Sequence, residues 1–392
     1  MKPLPYGRQS LDEADIAAVV EVLRSDFLTQ GPEIERFEKA VAAWCHSKHG
    51  VAVANGTAAL HLAALALDLG PGDLLWTSPI TFVASANCGR YCGAEVDFVD
   101  VDPETINLCP KRLAEKLEKA EKDGRLPKVV VPVHFGGQSC AMDEIHALAQ
   151  KYGFRVIEDA SHALGGTYLG GPVGSCRWSD IVTHSFHPVK IVTTGEGGLM
   201  TTNDETLYQR MATLRTHGIT RDASRMTGSS EGAWYYQQIE LGYNYRLTDL
   251  QAALGSSQMR KLQPFVARRR EIAALYDKVL AGLPVRALAR DPRAESAWHL
   301  YMIRLDLKAI ASTRREVFDR MRAQGILVNV HYIPVHLQPD YARFGFKAGM
   351  FPEAEQYYEE CITLPMFPGM TDEDVHRVRD ALATAIAGGD TP

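Results

Sequence analysis

The 392-residue chain has no long apolar run, no basic tract and no paired-cysteine framework, and each absence removes a class of function. Its most apolar stretch, residues 51–67, is interrupted by Asn55, Gly56 and His61, so it reads as a strand followed by a helix rather than a membrane span. The first residues, Met1-Lys2-Pro3-Leu4-Pro5-Tyr6-Gly7, lack the apolar core of a secretory signal. Basic residues number 42 against 48 acidic ones, a formal net charge of −6. The one basic triplet, Arg268-Arg269-Arg270, falls in an amphipathic helical pattern and reads as a solvated face, so nucleic acid is not an expected partner. The seven cysteines are scattered and odd in number. Cys88 and Cys92 share a helix face, yet no second pair follows them. They read as buried thiols in a reducing cytoplasm, with no metal expected. No G-x-G-x-x-G is present, and the Gly165-Gly166 and Gly170-Gly171 pairs have the wrong spacing, which argues against a nicotinamide oxidoreductase.

What the chain does have is alternation. Short apolar runs at 51–54, 73–77, 96–101, 129–133, 154–158, 181–186 and 198–202 are separated, through the first five, by helical patterns at 57–67, 82–91, 110–122 and 142–152. Strands apolar on both faces and divided by helices predict an α/β fold with a mostly parallel sheet covered on both sides. A helical pattern over 248–280 follows, with Pro264 expected to kink it. Segments 300–305, 317–324, 328–331 and 372–387 then predict a smaller α+β unit. The expected division is a large domain over 1–255 and a small C-terminal domain over 256–392, and residues 222–232 read as a surface loop.

Four constellations carry chemistry. Asn55-Gly56-Thr57-Ala58 lies between a strand and a helix, where free N–H groups and the positive dipole end suit a phosphate; plain N-capping by Asn55 or Thr57 accounts for the same residues. Asp159, in Glu158-Asp159-Ala160-Ser161-His162, falls just past a buried strand at the sheet's carboxyl end, where a carboxylate can pair with a protonated pyridine nitrogen or cap a helix. Ser185-Phe186-His187-Pro188-Val189-Lys190 continues as Thr193-Thr194-Gly195-Glu196-Gly197-Gly198. A lysine in such a turn, its pKa lowered by burial, is placed for imine chemistry, and the glycine pair would let backbone approach a ring. Gly242-Tyr243-Asn244-Tyr245-Arg246-Leu247-Thr248-Asp249 opens the long helix, with Thr248 or Asp249 as cap, or serves interdomain packing through its tyrosines.

In this order, the four resemble the DegT/DnrJ/EryC1/StrS sugar aminotransferases over almost the whole chain, from Pro5-Tyr6-Gly7-Arg8-Gln9 through Phe27-Leu28-Thr29-Gln30-Gly31-Pro32 to Leu364-Pro365-Met366-Phe367-Pro368-Gly369. The resemblance implies the fold of the aspartate aminotransferase class (fold type I), pyridoxal 5′-phosphate as cofactor, and a homodimer with shared active sites. Lys190 would hold the cofactor as a Schiff base and act as catalytic base, and Asp159 would pair with its ring nitrogen. Gly56, Thr57, Ala58 and Ser185 would bind the phosphate, with Asn244 reaching it from the partner subunit. Phe82 would stack on the ring and His162 contact its phenolic side. Tyr6, Asp26, Phe27, Leu28, Thr29, Asn329, Val330, His331 and Tyr332 match positions that contact a nucleotide sugar. Arg221 and Arg246 are candidates for its pyrophosphate on charge alone.

Within the family, Thr77-Ser78-Pro79-Ile80-Thr81-Phe82-Val83-Ala84, Arg215-Thr216-His217-Gly218-Ile219-Thr220-Arg221 and Val330-His331-Tyr332-Ile333-Pro334-Val335 are similar to the pseudaminic-acid branch. That branch aminates C4 of UDP-2-acetamido-2,6-dideoxy-β-L-arabino-hex-4-ulose with L-glutamate as donor. Asn329 and Ser139 depart from the family's usual glutamine and proline. Lys190 argues against the family's dehydratases, which carry histidine there, and Lys190, Asp159 and Thr57 together argue against a non-catalytic cofactor-bound sensor.

Overall fold

The computed structural model describes residues 2–388. Seven strands form the central sheet, in the spatial order His49–Val53, Gly198–Thr202, Ile181–Ser185, Arg155–Asp159, Val129–Val131, Leu74–Thr77 and Glu95–Phe98. The sequence expectation of a mostly parallel sheet holds with one exception. Gly198–Thr202 runs antiparallel to both of its neighbours. Apolar side chains on both faces of the strands pack under helices, including Gly56–Ala66, Ala84–Tyr91 and Met142–Tyr152, so the sheet lies buried between two layers.

The long helical pattern divides into Asp249–Met259 and Leu262–Val279. The break falls at Arg260-Lys261, not at Pro264, which sits in the first turn of the second helix where its missing N–H leaves no gap. Thr248 caps the first helix in a capping box with Gln251. Asp249 is turned elsewhere: its buried carboxylate accepts the N–H groups of Gly31 (2.7 Å) and Glu33 (2.9 Å), at the start of helix Pro32–Cys45. Tyr243 and Tyr245 stack on one another and pack beside His61 on the large-sheet core, so they do not serve interdomain packing.

The smaller C-terminal unit is α+β. Its antiparallel sheet of Val285–Ala287, Tyr301–Leu305 and Cys361–Leu364 packs against Leu262–Val279, Arg314–Ala323 and Asp372–Ile386. Of the predicted 328–331 strand, only Asn329 pairs, with Thr363; the strand here is Ile326–Leu327, which pairs with Leu4–Pro5 at the chain's start. The basic triplet also differs from expectation. Arg268 and Arg270 form surface ion pairs, but Arg269 has zero exposure and donates through Nη1 to three backbone carbonyls. Met1 and 389–392, the ends of the two expected domains, lie outside the described residues.

Candidate active site

A cleft of about 630 Å³ opens at the carboxyl ends of the parallel strands, where an open α/β sheet gathers its loops. One end is the start of helix Gly56–Ala66. Asn55 caps this helix, its Oδ1 accepting the Ala58 N–H at 2.8 Å. The capping role therefore belongs to Asn55, and the Thr57 hydroxyl and the first two amides, of Gly56 and Thr57, have no partner among the described residues. With the Ser185 hydroxyl they face the cleft. Such a set of donors at a helix N-terminus fits a phosphate. Gly56 is required by crowding, since a Cβ there would lie 3.0 Å from Ser185 Cβ.

Asp159 ends its strand on the cleft side. Ser85 donates to its Oδ2 at 2.6 Å and the Ser161 N–H to its Oδ1 at 3.0 Å, while Thr81 braces Ser85 at 2.7 Å. The neighbouring Glu158 points behind the sheet, where Ser179 (2.5 Å) and His134 (2.7 Å) hold it. Lys190 approaches from the 186–197 loop and lines the same cleft. Burial pushes its ammonium down to about 8, against the opposing pull of Asp159. The loop is stitched by its own threonines: Thr193 Oγ1 donates to the Phe186 carbonyl and Thr194 Oγ1 to the Glu196 carbonyl. The glycine pair is required by packing: a Cβ on Gly198 would meet the Asn55 carbonyl oxygen and one on Gly197 the Thr194 hydroxyl, each at 2.2 Å.

Phe82 lines the cleft with 58% exposure, a large aromatic face left open. Opposite, the buried His162 accepts the Gly136 N–H at Nδ1 (3.3 Å) and meets Tyr332 Oη at Nε2 (3.2 Å). Accepting at Nδ1 places the neutral ring's proton on Nε2, directed at Tyr332. Burial, then the Lys190 charge, then that of His331, hold His162 well below the usual histidine range. Tyr6, Asn329, Val330 and His331 complete this wall; burial lowers His331 to about 3.

The single chain thus brings together Tyr6, Gly56, Thr57, Phe82, Asp159, His162, Ser185, Lys190, Asn329, Val330, His331 and Tyr332. It does not bring in Ala58, which is buried with its amide bonded to Asn55. Asp26, Phe27, Leu28, Thr29, Asn244 and Arg221 are exposed, and neither they nor Arg246 line the cleft. Residues 26–29 lie beside the start of helix Asp249–Met259, through the pairing of Thr29 with Thr248 and the Asp249 N–H bond to the Leu28 carbonyl. Sequence reasoning named Asn55 as a possible cap but missed Ser85 and Ser161 as the braces of Asp159. Ser85 follows Phe82 by three residues, one helical turn, and that spacing was its only signal.

The residues fit pyridoxal phosphate: free donors for a phosphate, a braced carboxylate for a ring nitrogen, an open aromatic face and a lysine of lowered pKa. The DegT/DnrJ/EryC1/StrS aminotransferase family model matches residues 9–383. The spore coat polysaccharide biosynthesis protein SpsC of Bacillus subtilis is 40% identical over 391 residues, covering 99% of this chain and 98% of its own length. Among solved structures, Helicobacter pylori PseC, an aminotransferase involved in the biosynthesis of pseudoaminic acid, superposes with a TM-score of 0.89 at 28% identity, covering 98% of this chain and 99% of that one. The PLP-form of the putative sugar aminotransferase Spr1654 from Streptococcus pneumoniae gives 0.86 at 28% identity, covering 98% of both chains. The chain belongs to the DegT/DnrJ/EryC1/StrS aminotransferase family and is a pyridoxal-phosphate-dependent aminotransferase that passes an amino group from an amino acid to a sugar nucleotide.

Proposed function

We propose that this enzyme transfers the amino group of L-glutamate to C4 of a nucleotide-linked 4-keto-6-deoxy sugar, and that UDP-2-acetamido-2,6-dideoxy-β-L-arabino-hex-4-ulose is that sugar. The observation that carries the general reading is Lys190 and the braced Asp159 facing one cleft beside free phosphate donors. The choice of sugar rests on the residue stretches shared with the pseudaminic-acid branch and on the likeness to PseC. A second reading, amination of another UDP- or GDP-linked 4-keto-6-deoxy sugar, draws on the likeness to SpsC.

Bound pyridoxal phosphate supplies an electron sink and a carbonyl through which the amino group passes. Asp159 would hold its ring nitrogen protonated. Thr57, Ser185 and the amides of Gly56 and Thr57 would hold its phosphate, Phe82 one ring face, and His162 its phenolic side. Lys190 Nζ takes the proton from Cα of glutamate in the first half-reaction and delivers a proton to C4 of the sugar in the second. With its pKa lowered, this amine is uncharged often enough near neutrality to act as a base. Tyr6 and residues 329–332 orient the sugar, so that binding energy far from C4 places the reacting carbon.

The working unit in this reading is a homodimer with shared sites. The single-chain cleft lacks Asn244 and residues 26–29, which are exposed, as is Leu241 at 76%. Exposed apolar side chains such as Phe27, Leu28 and Leu241 are suited to burial against a second copy.

The test is a half-reaction assay. Enzyme loaded with L-glutamate is mixed with a panel of 4-keto sugars, and loss of the aminated cofactor's absorbance is followed. Fastest loss with the UDP-L-arabino-hexulose is expected. If another sugar reacts faster, the choice of sugar fails; if none reacts, the reading as a 4-aminotransferase fails.

A further inference from the structure

Arg269 is a buried cation that forms no ion pair with a carboxylate among the described residues. It has zero exposure in helix Leu262–Val279, and burial lowers it to about 9. Its Nε and Nη2 find no acceptor among the described residues. Its hydrogen bonds all run through Nη1, to the carbonyls of Trp298 (3.1 Å), His299 (3.2 Å) and Met366 (2.9 Å). A methionine would fill the space without the cost of burying a charge. What the guanidinium adds is the gathering of two separate backbone segments onto one nitrogen.

Both segments lead to the cleft. The Met366 N–H donates to the Tyr6 carbonyl at 2.9 Å, so the first contact continues to a cleft-lining tyrosine. The other segment, 297–300, adopts a left-handed turn at Trp298 (φ +52°), a strained conformation for a tryptophan that needs fixed partners. It flanks Gly136-Gly137, with the Ala297 N–H on the Gly137 carbonyl (3.0 Å) and the Leu300 N–H on the Gly136 carbonyl (3.1 Å). Gly136 in turn donates to His162 Nδ1, and the His299 ring lies 4.4 Å from the His162 ring. Arg269 therefore stands behind two walls of the site without touching either.

We propose that Arg269 is a positioning residue of the aminotransferase site, fixing His162 through the 297–300 turn and Tyr6 through Met366. The inference rests on the proposed roles of His162 at the cofactor and Tyr6 at the sugar.

The test compares Arg269→Lys with Arg268→Met, which removes a half-buried ion-paired neighbour on the same helix. For each variant, thermal unfolding, the dissociation constant for pyridoxal phosphate, the KM for the sugar, and the histidine ring signals of the apoprotein by NMR are measured. Lysine keeps the charge, but its side chain is one bond shorter, so its ammonium falls short of the place where Nη1 meets the three carbonyls. Arg269→Lys is expected to raise the cofactor dissociation constant and the sugar KM about tenfold each, the factor carried by one lost charge-assisted hydrogen bond, and to shift the His162 signals. Arg268→Met is expected to change only unfolding. If Arg269→Lys unfolds earlier yet matches the parent in cofactor affinity, sugar KM and His162 signals, Arg269 is a core strut and the proposal is overturned. If Arg269→Lys does not fold, His299→Gln tests the same link: a raised cofactor dissociation constant supports it and an unchanged one overturns it. The NMR and cofactor measurements need no sugar, so a wrong choice of sugar leaves them intact.

Discussion

Asp159, Lys190 and the Gly56 and Thr57 amides all belong to one chain, on a strand end, on the loop that joins two strands and on a helix start of the central sheet. Asn244 and residues 26–29, expected at the same site, are exposed instead, residues 26–29 beside the start of helix Asp249–Met259 and Asn244 paired with Thr216. The first region has its side chains braced by neighbours within the chain, as Ser85 and Ser161 brace Asp159. The second is organised in its backbone but has nothing to close upon. In the proposed reading, the contrast divides the work: the protomer supplies the chemistry, and a second copy meeting the exposed surface would complete the site.

The sharpest way to break this comparison is at the lysine. Lys190→Ala should lower turnover about 10⁴-fold while cofactor still binds, because the proton carrier is lost and the phosphate donors remain. Single-turnover absorbance checks this, and near-parental turnover would remove Lys190 from the chemistry. Asp159→Asn, still able to accept from Ser85 but uncharged, should lower kcat about 10²- to 10³-fold in both half-reactions. A loss confined to the sugar half-reaction would contradict a role at the cofactor.

Asn244→Ala should weaken cofactor binding about tenfold if a second copy delivers this residue. Mixing it with Lys190→Ala at limiting cofactor should then raise activity above that of either variant alone, measured after exchange of subunits. Absence of rescue, with dimers present, would separate the exposed surface from the site.

The smallest effect is on pH dependence. Since the uncharged amine attacks the cofactor's carbonyl, capture by apoprotein should quicken about tenfold per pH unit up to about 8 and level off above it, followed by stopped-flow absorbance. An inflection near 10.5 instead would mean the lysine is unperturbed. The sign for stability runs the other way. A folded pKa below the unfolded one favours the unfolded chain, fully below pH 8 and fading between 8 and 10.5. Discounted for the lysine's partial exposure, Lys190→Met apoprotein should be more stable than the parent by about 1 kcal/mol at pH 7 in urea unfolding.

Much of this was legible in the chain. Apolar runs bounded by helical patterns predict the sheet to within a few residues, and the Asn55, Asp159 and Lys190 motifs fall at strand ends as their spacing requires. What periodicity does not report is direction, so the antiparallel course of Gly198–Thr202 was hidden in a run that looks like its neighbours. Glu158 and Asp159 are adjacent and chemically alike, and only the strand's alternation sends one behind the sheet and the other into the cleft. Arg269 read as surface because charge is usually solvated; nothing local to it announces the three carbonyls it meets. Residues 26–29 and Asn244 are exposed and off the cleft, and composition and spacing do not encode where an exposed segment stands relative to a distant site.

That antiparallel strand also orders the assembly of the protein. Within the sheet, His49–Val53 has Gly198–Thr202 as its one neighbour, so the strand leading into Asn55, Gly56 and Thr57 gains no ladder until a segment about 150 residues later is in place. A chain emerging from the ribosome carries the turn at Asn55-Gly56-Thr57 without its sheet neighbour until residues 198–202 have been made. Closure of that long loop is a late, slow event by its contact order. In pulse-labelled hydrogen exchange, the amides of residues 49–53 should become protected together with those of 198–202, after Val129–Val131 and Arg155–Asp159.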